Sequence, residues 1–324
     1  MPRTLQQVLT QDTARLIEAL ALDASSARIE VQTLLQHVLN VSRAYLLAYP
    51  ERRLNDSEQI RYAELFQRRL QGEPIAYLLG EREFFGLMFK VTPATLIPRP
   101  ETELLVELAL QHIPSPPAGC APLATLSPLA GEGGRQTGRG SLFRVLDLGT
   151  GSGAIALSIA HARPDIEVVA VDAAIEALAV ARENAQRLGT SNVAFVQSDW
   201  YTVLAAQRFD LIVSNPPYVA AGDPHLQQGD LRFEPPSALA SGNDGLEDIR
   251  HIVAEATAYL QPGGWLLLEH GYDQAAQVRD ILRQAKFGEV FSAQDLAGIE
   301  RVSGGRLDLT GFTPLKYPTQ SLGI

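Results

Sequence analysis

The sequence predicts an α/β chain: a doubly wound, mostly parallel sheet that ends in an antiparallel strand pair, preceded by a small helical bundle. Three observations carry this. From Phe143 onward, short apolar and β-branched runs alternate with segments of helical period. The last two runs, EVFSAQDL and RLDLTGF, lie too close together for a parallel return, which needs a crossover of about a dozen residues or more. The first eighty residues show helical period and no strand alternation.

Taken in order, Val31, Leu34, Leu35, Val38 and Leu39 recur at helix spacing. A second such stripe runs from Ser57 to Leu70, with Gly72 as its stop. Glu83 to Val91 sets aromatic and β-branched residues around Gly86, the pattern of a short hairpin. Pro100 opens a helix to about Ile113, with Thr102 or a neighbour as its cap. Between Pro114 and Ser141, 11 of 28 residues are Gly or Pro, so this stretch reads as a disordered insertion. Beyond it, RVLDLG, EVVAVD, NVAFVQSD, FDLIVSN and WLLLEHG read as strands. ALSIAHA, IEALAVARENAQRLG and DIRHIVAEATAYL read as helices. The expected plan is a helical region over 1–80, a hairpin and connecting helix over 81–113, the insertion over 114–141 and the α/β domain over 142–324.

Composition narrows the function classes. With 324 residues, 46% of them hydrophobic, the chain is long enough for two cores. Its net charge of −10 argues against nonspecific binding to nucleic acid, which Lys and Arg drive. Cys120 is the single cysteine, so no internal disulfide forms, and a reducing compartment fits. The N-terminus has no apolar core of signal-peptide length, and no run approaches the roughly 18 residues of a membrane span. A cytoplasmic protein, monomeric and without a membrane partner, is expected. The six histidines show no metal-ligand spacing, so no metal is expected. Neither a Walker motif nor Gly-x-Ser-x-Gly occurs.

Gly149-Thr150-Gly151-Ser152-Gly153 sits between a predicted strand and a predicted helix. Glycines let a ligand approach the backbone, and the helix start behind them offers free N–H groups. Asp172 ends the next strand, 23 residues after Gly149, at the spacing of a carboxylate that binds ribose hydroxyls. Gly149, Gly151 and Ala154 also satisfy a dinucleotide fingerprint, so the loop alone leaves the nucleotide open. Asp147 is placed to meet a positive charge, which S-adenosylmethionine carries as an ammonium and NAD does not. Ser198-Asp199-Trp200 closes the third strand with an acid beside an aromatic face, a pair suited to adenine.

Ser214-Asn215-Pro216-Pro217-Tyr218-Val219 follows the fourth strand and so faces the same crevice as the glycine loop. The Asn215 oxygen and the Pro216 carbonyl are acceptors, and the prolines cannot donate. Together they suit a planar NH₂ group, with Tyr218 as a flat wall. Holding both protons aims the nitrogen lone pair at a methyl donor, and orientation of this kind lowers a barrier by roughly 7–11 kcal/mol at best. Asn215 and Pro216 are therefore the expected catalytic groups.

DLGTGSG, AVD, SDW and SNPPYV together resemble the class I S-adenosylmethionine-dependent methyltransferases that act on planar nitrogen, whose sheet is Rossmann-like. GEPIAYLLGEREFFGLMF, TLIPRPETE and DPHLQQGDLRFEP extend the resemblance to the bacterial peptide chain release factor glutamine methyltransferase family, from about residue 5 to residue 307. SNPPY alone is shared with enzymes that methylate DNA adenine or ribosomal RNA. TLIPRPETE points instead to glutamine-modifying enzymes, and HLQQGDLRFEP to the release-factor branch rather than the ribosomal-protein branch. The resemblance implies S-adenosylmethionine as cofactor, held by Gly149 through Gly153, Asp172, Trp200 and Asn215. It implies substrate contacts from Asn215, Pro216, Pro217 and Tyr218. The implied substrate is the glutamine of the Gly-Gly-Gln motif in class 1 release factors, recognised through the helical N-terminal region.

Overall fold

The structure, a computed structural model, describes residues 2–115, 142–205 and 207–308. The expected insertion, beyond Ser115, lies outside the described residues, as does the tail after Asp308. The described residues fall into two compact units. One is drawn from Met1–Arg82, Val91–Pro93 and Pro224–Glu234, the other from Glu83–Lys90, Ala94–Asp223 and Pro235–Ile324.

The first unit is helical: α1 (Leu5–Leu20), α2 (Ala24–Leu39), α3 (Arg43–Ala48), α4 (Asp56–Leu70) and α5 (Ile75–Leu79). Thr4 with Gln7 and Asn55 with Glu58 form capping boxes that start α1 and α4, satisfying amides that a helix end leaves bare. Leu5, Val31, Leu34, Leu35, Tyr62 and Phe66 are buried at the centre of the bundle. The same unit includes Pro224–Glu234, far along the chain. Arg69, only 4% exposed, explains this. Its guanidinium pairs with Glu30 at 2.7 and 2.9 Å and reaches Asp230, 161 residues on, at 3.1 Å. Arg232 donates to the Gln71 carbonyl at 2.6 Å.

The second unit begins within β1 (Glu81–Phe84), which forms the expected hairpin with β2 (Leu87–Lys90). Its two turn residues, Phe85 and Gly86, both have positive φ, as the tight hairpin turn requires. A 3-10 turn at Pro100–Thr102 leads into α6 (Glu103–His112). There follow β3 (Arg144–Leu148), α7 (Ala154–Ala162), β4 (Glu167–Asp172), α8 (Ile175–Leu188), β5 (Val193–Gln197) and β6 (Phe209–Ser214). Then come α9 (Glu247–Tyr259), β7 (Leu260–Glu269), α10 (Ala275–Gln284), β8 (Phe287–Gln294) and β9 (Glu300–Leu307). The sheet order is β5-β4-β3-β6-β7-β9-β8, with β9 antiparallel to both its neighbours. This is the doubly wound sheet with a terminal antiparallel pair that the sequence predicts.

The last strand differs from expectation. It is Glu300–Leu307, not RLDLTGF, of which the residues past Asp308 lie outside the described set. Gly304 and Gly305, which precede the predicted run, lie inside this strand. A Cβ on Gly304 would fall 2.5 Å from Leu267 Cδ2 and 2.9 Å from the Leu266 carbonyl oxygen. Glycine is there for close approach of β9 to β7, not for a turn.

Strand alternation sorts the core. Val145, Val168, Leu211, Val213 and Leu267 pack with α6 and α7, whereas Leu146, Val169, Ile212, Leu266 and Leu268 pack with α9 and α10. The chain winds from β3 through β4 to β5, then crosses to β6 on the other side of β3. The strand order therefore reverses between β3 and β6, where open α/β sheets bind ligands at the carboxyl ends. Among the described residues no helix is long and apolar enough to cross a membrane.

Candidate active site

The register brings the two sequence motifs together. Leu148 and Ser214, the last residues of β3 and β6, are direct partners, so Gly149 and Asn215 leave the sheet side by side. Ser214 Oγ donates to the Leu148 carbonyl at 2.7 Å and locks the two ends.

Gly149, Gly151 and Gly153 all have positive φ, at 72°, 57° and 84°. At Gly151 a Cβ would meet nothing within 4 Å, so the backbone there borders open space. Gly153 is different: a Cβ would lie 2.9 Å from Leu157 Cδ1 and 3.2 Å from the Ala181 Cβ, so this glycine serves the packing of α7 on α8. Ser152 is buried, and its carbonyl accepts from Asn184 Nδ2 at 2.8 Å. Asn184 also exchanges bonds with the Lys90 backbone, tying the hairpin to the loop.

Asp172 accepts from the Gly151 amide at 2.8 Å and the Ala174 amide at 2.9 Å. One lone pair on each oxygen stays available for hydroxyl donors. Burial raises its pKa. The Ser198 amide donates to the Asp172 carbonyl at 3.0 Å, which brings the SDW stretch alongside. Trp200 is part-buried against the core, and a Cβ on Gly149 would sit 3.6 Å from its Cζ3. Its φ of +46° places it in the left-handed region, at a cost of about 1–3 kcal/mol for a bulky residue. That turn carries the ring to the glycine loop. Asp199 is exposed.

Asp147 is fully buried beneath the loop. One oxygen accepts from Thr150 Oγ1 at 2.6 Å and the Ala156 amide at 3.2 Å. The other, Oδ1, has no protein partner. Burial, with a smaller contribution from the Asp172 charge, raises this carboxyl to about 7.

Among the Asn-Pro-Pro-Tyr residues, Pro216 is buried and Asn215, Pro217 and Tyr218 are half-buried. Asn215 Nδ2 donates to Thr102 Oγ1 at 3.2 Å, and Tyr218 Oη donates to Glu269 Oε1 at 3.3 Å. Burial and the Glu269 charge push the Tyr218 phenol well up. Gln274 Nε2 donates to the Tyr218 carbonyl at 3.0 Å. Thr102 corrects one expectation: it stands at the start of α6 but its side chain caps nothing, because its hydroxyl is committed to the site. Glu269 and Gln274 are not among the sequence-predicted site residues. The signal for Glu269 is a carboxylate closing an apolar strand in WLLLEHG, but pairing it with Tyr218 needs the β6–β7 neighbourhood. His270 is buried and satisfied by Gly271 O at 2.9 Å and Ser303 Oγ at 2.8 Å, which fits a structural role. No group of three or more His, Cys, Asp or Glu with metal-binding geometry occurs among the described residues.

Known proteins match along most of the chain. A family profile described as methyltransferase domain matches residues 140–302, and one described as PrmC N-terminal domain matches residues 7–80. The chain is 51% identical over 300 residues to the release factor glutamine methyltransferase of Burkholderia pseudomallei, covering 91% of this chain and 95% of that one. The Bordetella pertussis relative of the same name is 50% identical, covering 90% and 99% of the two chains. The Escherichia coli one is 45% identical, covering 87% and 93%. With the glycine loop and the Asn-Pro-Pro-Tyr stretch joined at one sheet end, and identity of this extent along both chains, the protein belongs to the release factor glutamine methyltransferase family.

Proposed function

We propose that this chain methylates the side-chain amide nitrogen of the glutamine in the Gly-Gly-Gln motif of class 1 peptide chain release factors, with S-adenosylmethionine as donor. The observation that carries the reading is the pairing of Leu148 with Ser214, which sets the acceptor-rich Asn215–Pro216 beside the glycine loop.

The residues fit the cofactor. Gly151 faces open space, the part-buried Trp200 ring borders Gly149, and the buried Asp147 Oδ1 lacks a partner. Gly149 through Gly153 would hold the cofactor against the backbone, Asp172 its ribose hydroxyls, Trp200 its adenine and Asp147 its ammonium. When bound, S-adenosylmethionine supplies a methyl group activated on a sulfonium.

An amide nitrogen is a poor nucleophile because its lone pair is delocalised. Asn215 Oδ1 and the Pro216 carbonyl accept its two protons and so hold the amide plane in a single orientation. Accepted hydrogen bonds also stabilise the positive charge that develops on nitrogen, and one of the two held protons then leaves to solvent to give the neutral N-methyl amide. Tyr218 supplies a flat wall for the amide. By the same reading the helical unit recognises the release factor.

Mass spectrometry of a release factor incubated with enzyme and cofactor tests this. One added methyl group on the Gly-Gly-Gln glutamine is expected. Methylation at any other residue, or none, overturns the substrate assignment.

A further inference from the structure

The Asn215–Tyr218 stretch is anchored on both sides by backbone pairing. Ahead of it, Ser214 Oγ donates to the Leu148 carbonyl at 2.7 Å. Behind it, the Val219 amide donates to the Leu239 carbonyl and the Val219 carbonyl accepts from the Ser241 amide, each at 2.9 Å. Between these anchors Pro216 and Pro217 carry no N–H, so they cannot bind the stretch to a neighbouring carbonyl. Seating its carbonyls falls to donors from elsewhere in the fold.

Gln274 supplies such a donor. It is 7% exposed, and its side chain joins two backbone segments. Oε1 accepts from the Gly271 amide at 2.8 Å, and Nε2 donates to the Tyr218 carbonyl at 3.0 Å. A backbone amide only donates and a carbonyl only accepts, so the side-chain amide fits in one orientation. The Gly245 carbonyl, 3.4 Å from Nε2, is a further acceptor on the same side. Gly245 also presses on the Tyr218 peptide directly. A Cβ there would collide with the Tyr218 carbonyl oxygen, 3.0 Å from its carbon and 2.8 Å from Gln274 Nε2.

We infer that Gln274 and Gly245 are positioning residues for methyl transfer, which seat the Tyr218 peptide and so set the aim of the Pro216 carbonyl and the Tyr218 ring. The inference rests on the proposed clamp, in which the Pro216 carbonyl accepts a proton of the substrate amide. Proline locks φ at about −65°, so Pro216-Pro217 is a stiff piece with little rotation of its own. With both ends of that piece seated, the carbonyl in its middle keeps one direction. Releasing or displacing the Tyr218 peptide lets that carbonyl swing off the substrate proton.

The test uses the full chain with release factor and S-adenosylmethionine. Gln274→Met keeps the bulk of the side chain and removes the donor. Gly245→Ala forces the Tyr218 peptide aside. Calorimetric titration with cofactor counts folded sites, and kcat is taken per site, so a loss of stability alone leaves it unchanged. Each variant should lower kcat about 10- to 100-fold, the scale of a reacting group displaced by about 1 Å. KM for the release factor and Kd for the cofactor should stay within about twofold, the pattern of an interaction realised in the transition state. The double variant should be no slower than the slower single, because both residues act on one peptide. Wild-type kcat per site in either single variant, a cofactor Kd that rises as kcat falls, or multiplied losses in the double variant would each overturn the inference. If Gln274→Met does not fold, Gly245→Ala decides alone. A wild-type enzyme that leaves the release factor unmethylated would sink the substrate reading instead, so the two failures are distinct.

Discussion

Leu148 and Ser214 are partners at the carboxyl ends of neighbouring parallel strands, and Ser214 Oγ donates to the Leu148 carbonyl at 2.7 Å. Each is followed at once by a site residue, Gly149 on one strand and Asn215 on the other. Parallel register thus brings two motifs, more than sixty residues apart in sequence, into one candidate site.

Asn215→Ala removes the proposed acceptor for the substrate amide while only brushing the proposed cofactor site. Methyl transfer followed by mass spectrometry should fall roughly 10²- to 10³-fold, as when one charge-stabilising group is deleted. Calorimetry should show a modest loss of cofactor affinity. Full activity in this variant would remove the acceptor role.

Asp172→Ala deletes the expected ribose contact and the Gly151 amide's partner. Hydrogen bonds to charged groups are worth about 1.5–3 kcal/mol, so cofactor Kd should rise roughly 10- to 100-fold. An unchanged Kd would show that the ribose is held elsewhere.

Glu269 titrates at about 7 because burial disfavours its charge, with Glu101 adding to the effect and Thr102, Tyr218 and Arg301 opposing it. The folded pKa lies above the value of about 4.3 for a free glutamate, so the unfolded chain ionises first. This carboxyl lowers stability progressively as pH climbs from about 4 to about 7, and its cost is complete above that range. Thermal unfolding across the range should show a smaller decline in Glu269→Gln than in the wild type.

Arg69→Met leaves Glu30 without its partner in the helical unit and releases Asp230. Hydrogen bonds to charged groups are worth about 1.5–3 kcal/mol, and Glu30 keeps some solvent, so the denaturant midpoint should fall by an amount of that order with little change in slope. A variant as stable as wild type would mean that solvent satisfies Glu30 equally well.

Local chemistry made much of the site readable from sequence. Gly149 and Gly151 permit positive φ whatever surrounds them, and the prolines of Asn215-Pro216-Pro217 withhold donors in any fold. Thr102 shows the limit. Its position before a helix reads as a cap, and capping was the local use of its hydroxyl. The fold spends that hydroxyl on Asn215 instead, a choice that depends on a residue more than a hundred positions away. Gly304 and Gly305 show the same limit, since nothing local says that β7 crowds the first and β8 the second.

Periodicity, turn chemistry and motif composition determined the α/β order, the hairpin and the helical bundle, and they pointed to the glycine loop and the Asn-Pro-Pro-Tyr stretch as the candidate site. These follow from backbone sterics and from side-chain donor and acceptor counts, which each residue carries with it. Tertiary structure alone decided that Pro224–Glu234 packs with the helical unit, that β9 begins at Glu300, and that Glu269 stands behind the clamp. Those facts depend on which distant strands and side chains meet, because burial and pairing are properties of the assembled fold rather than of any stretch of chain.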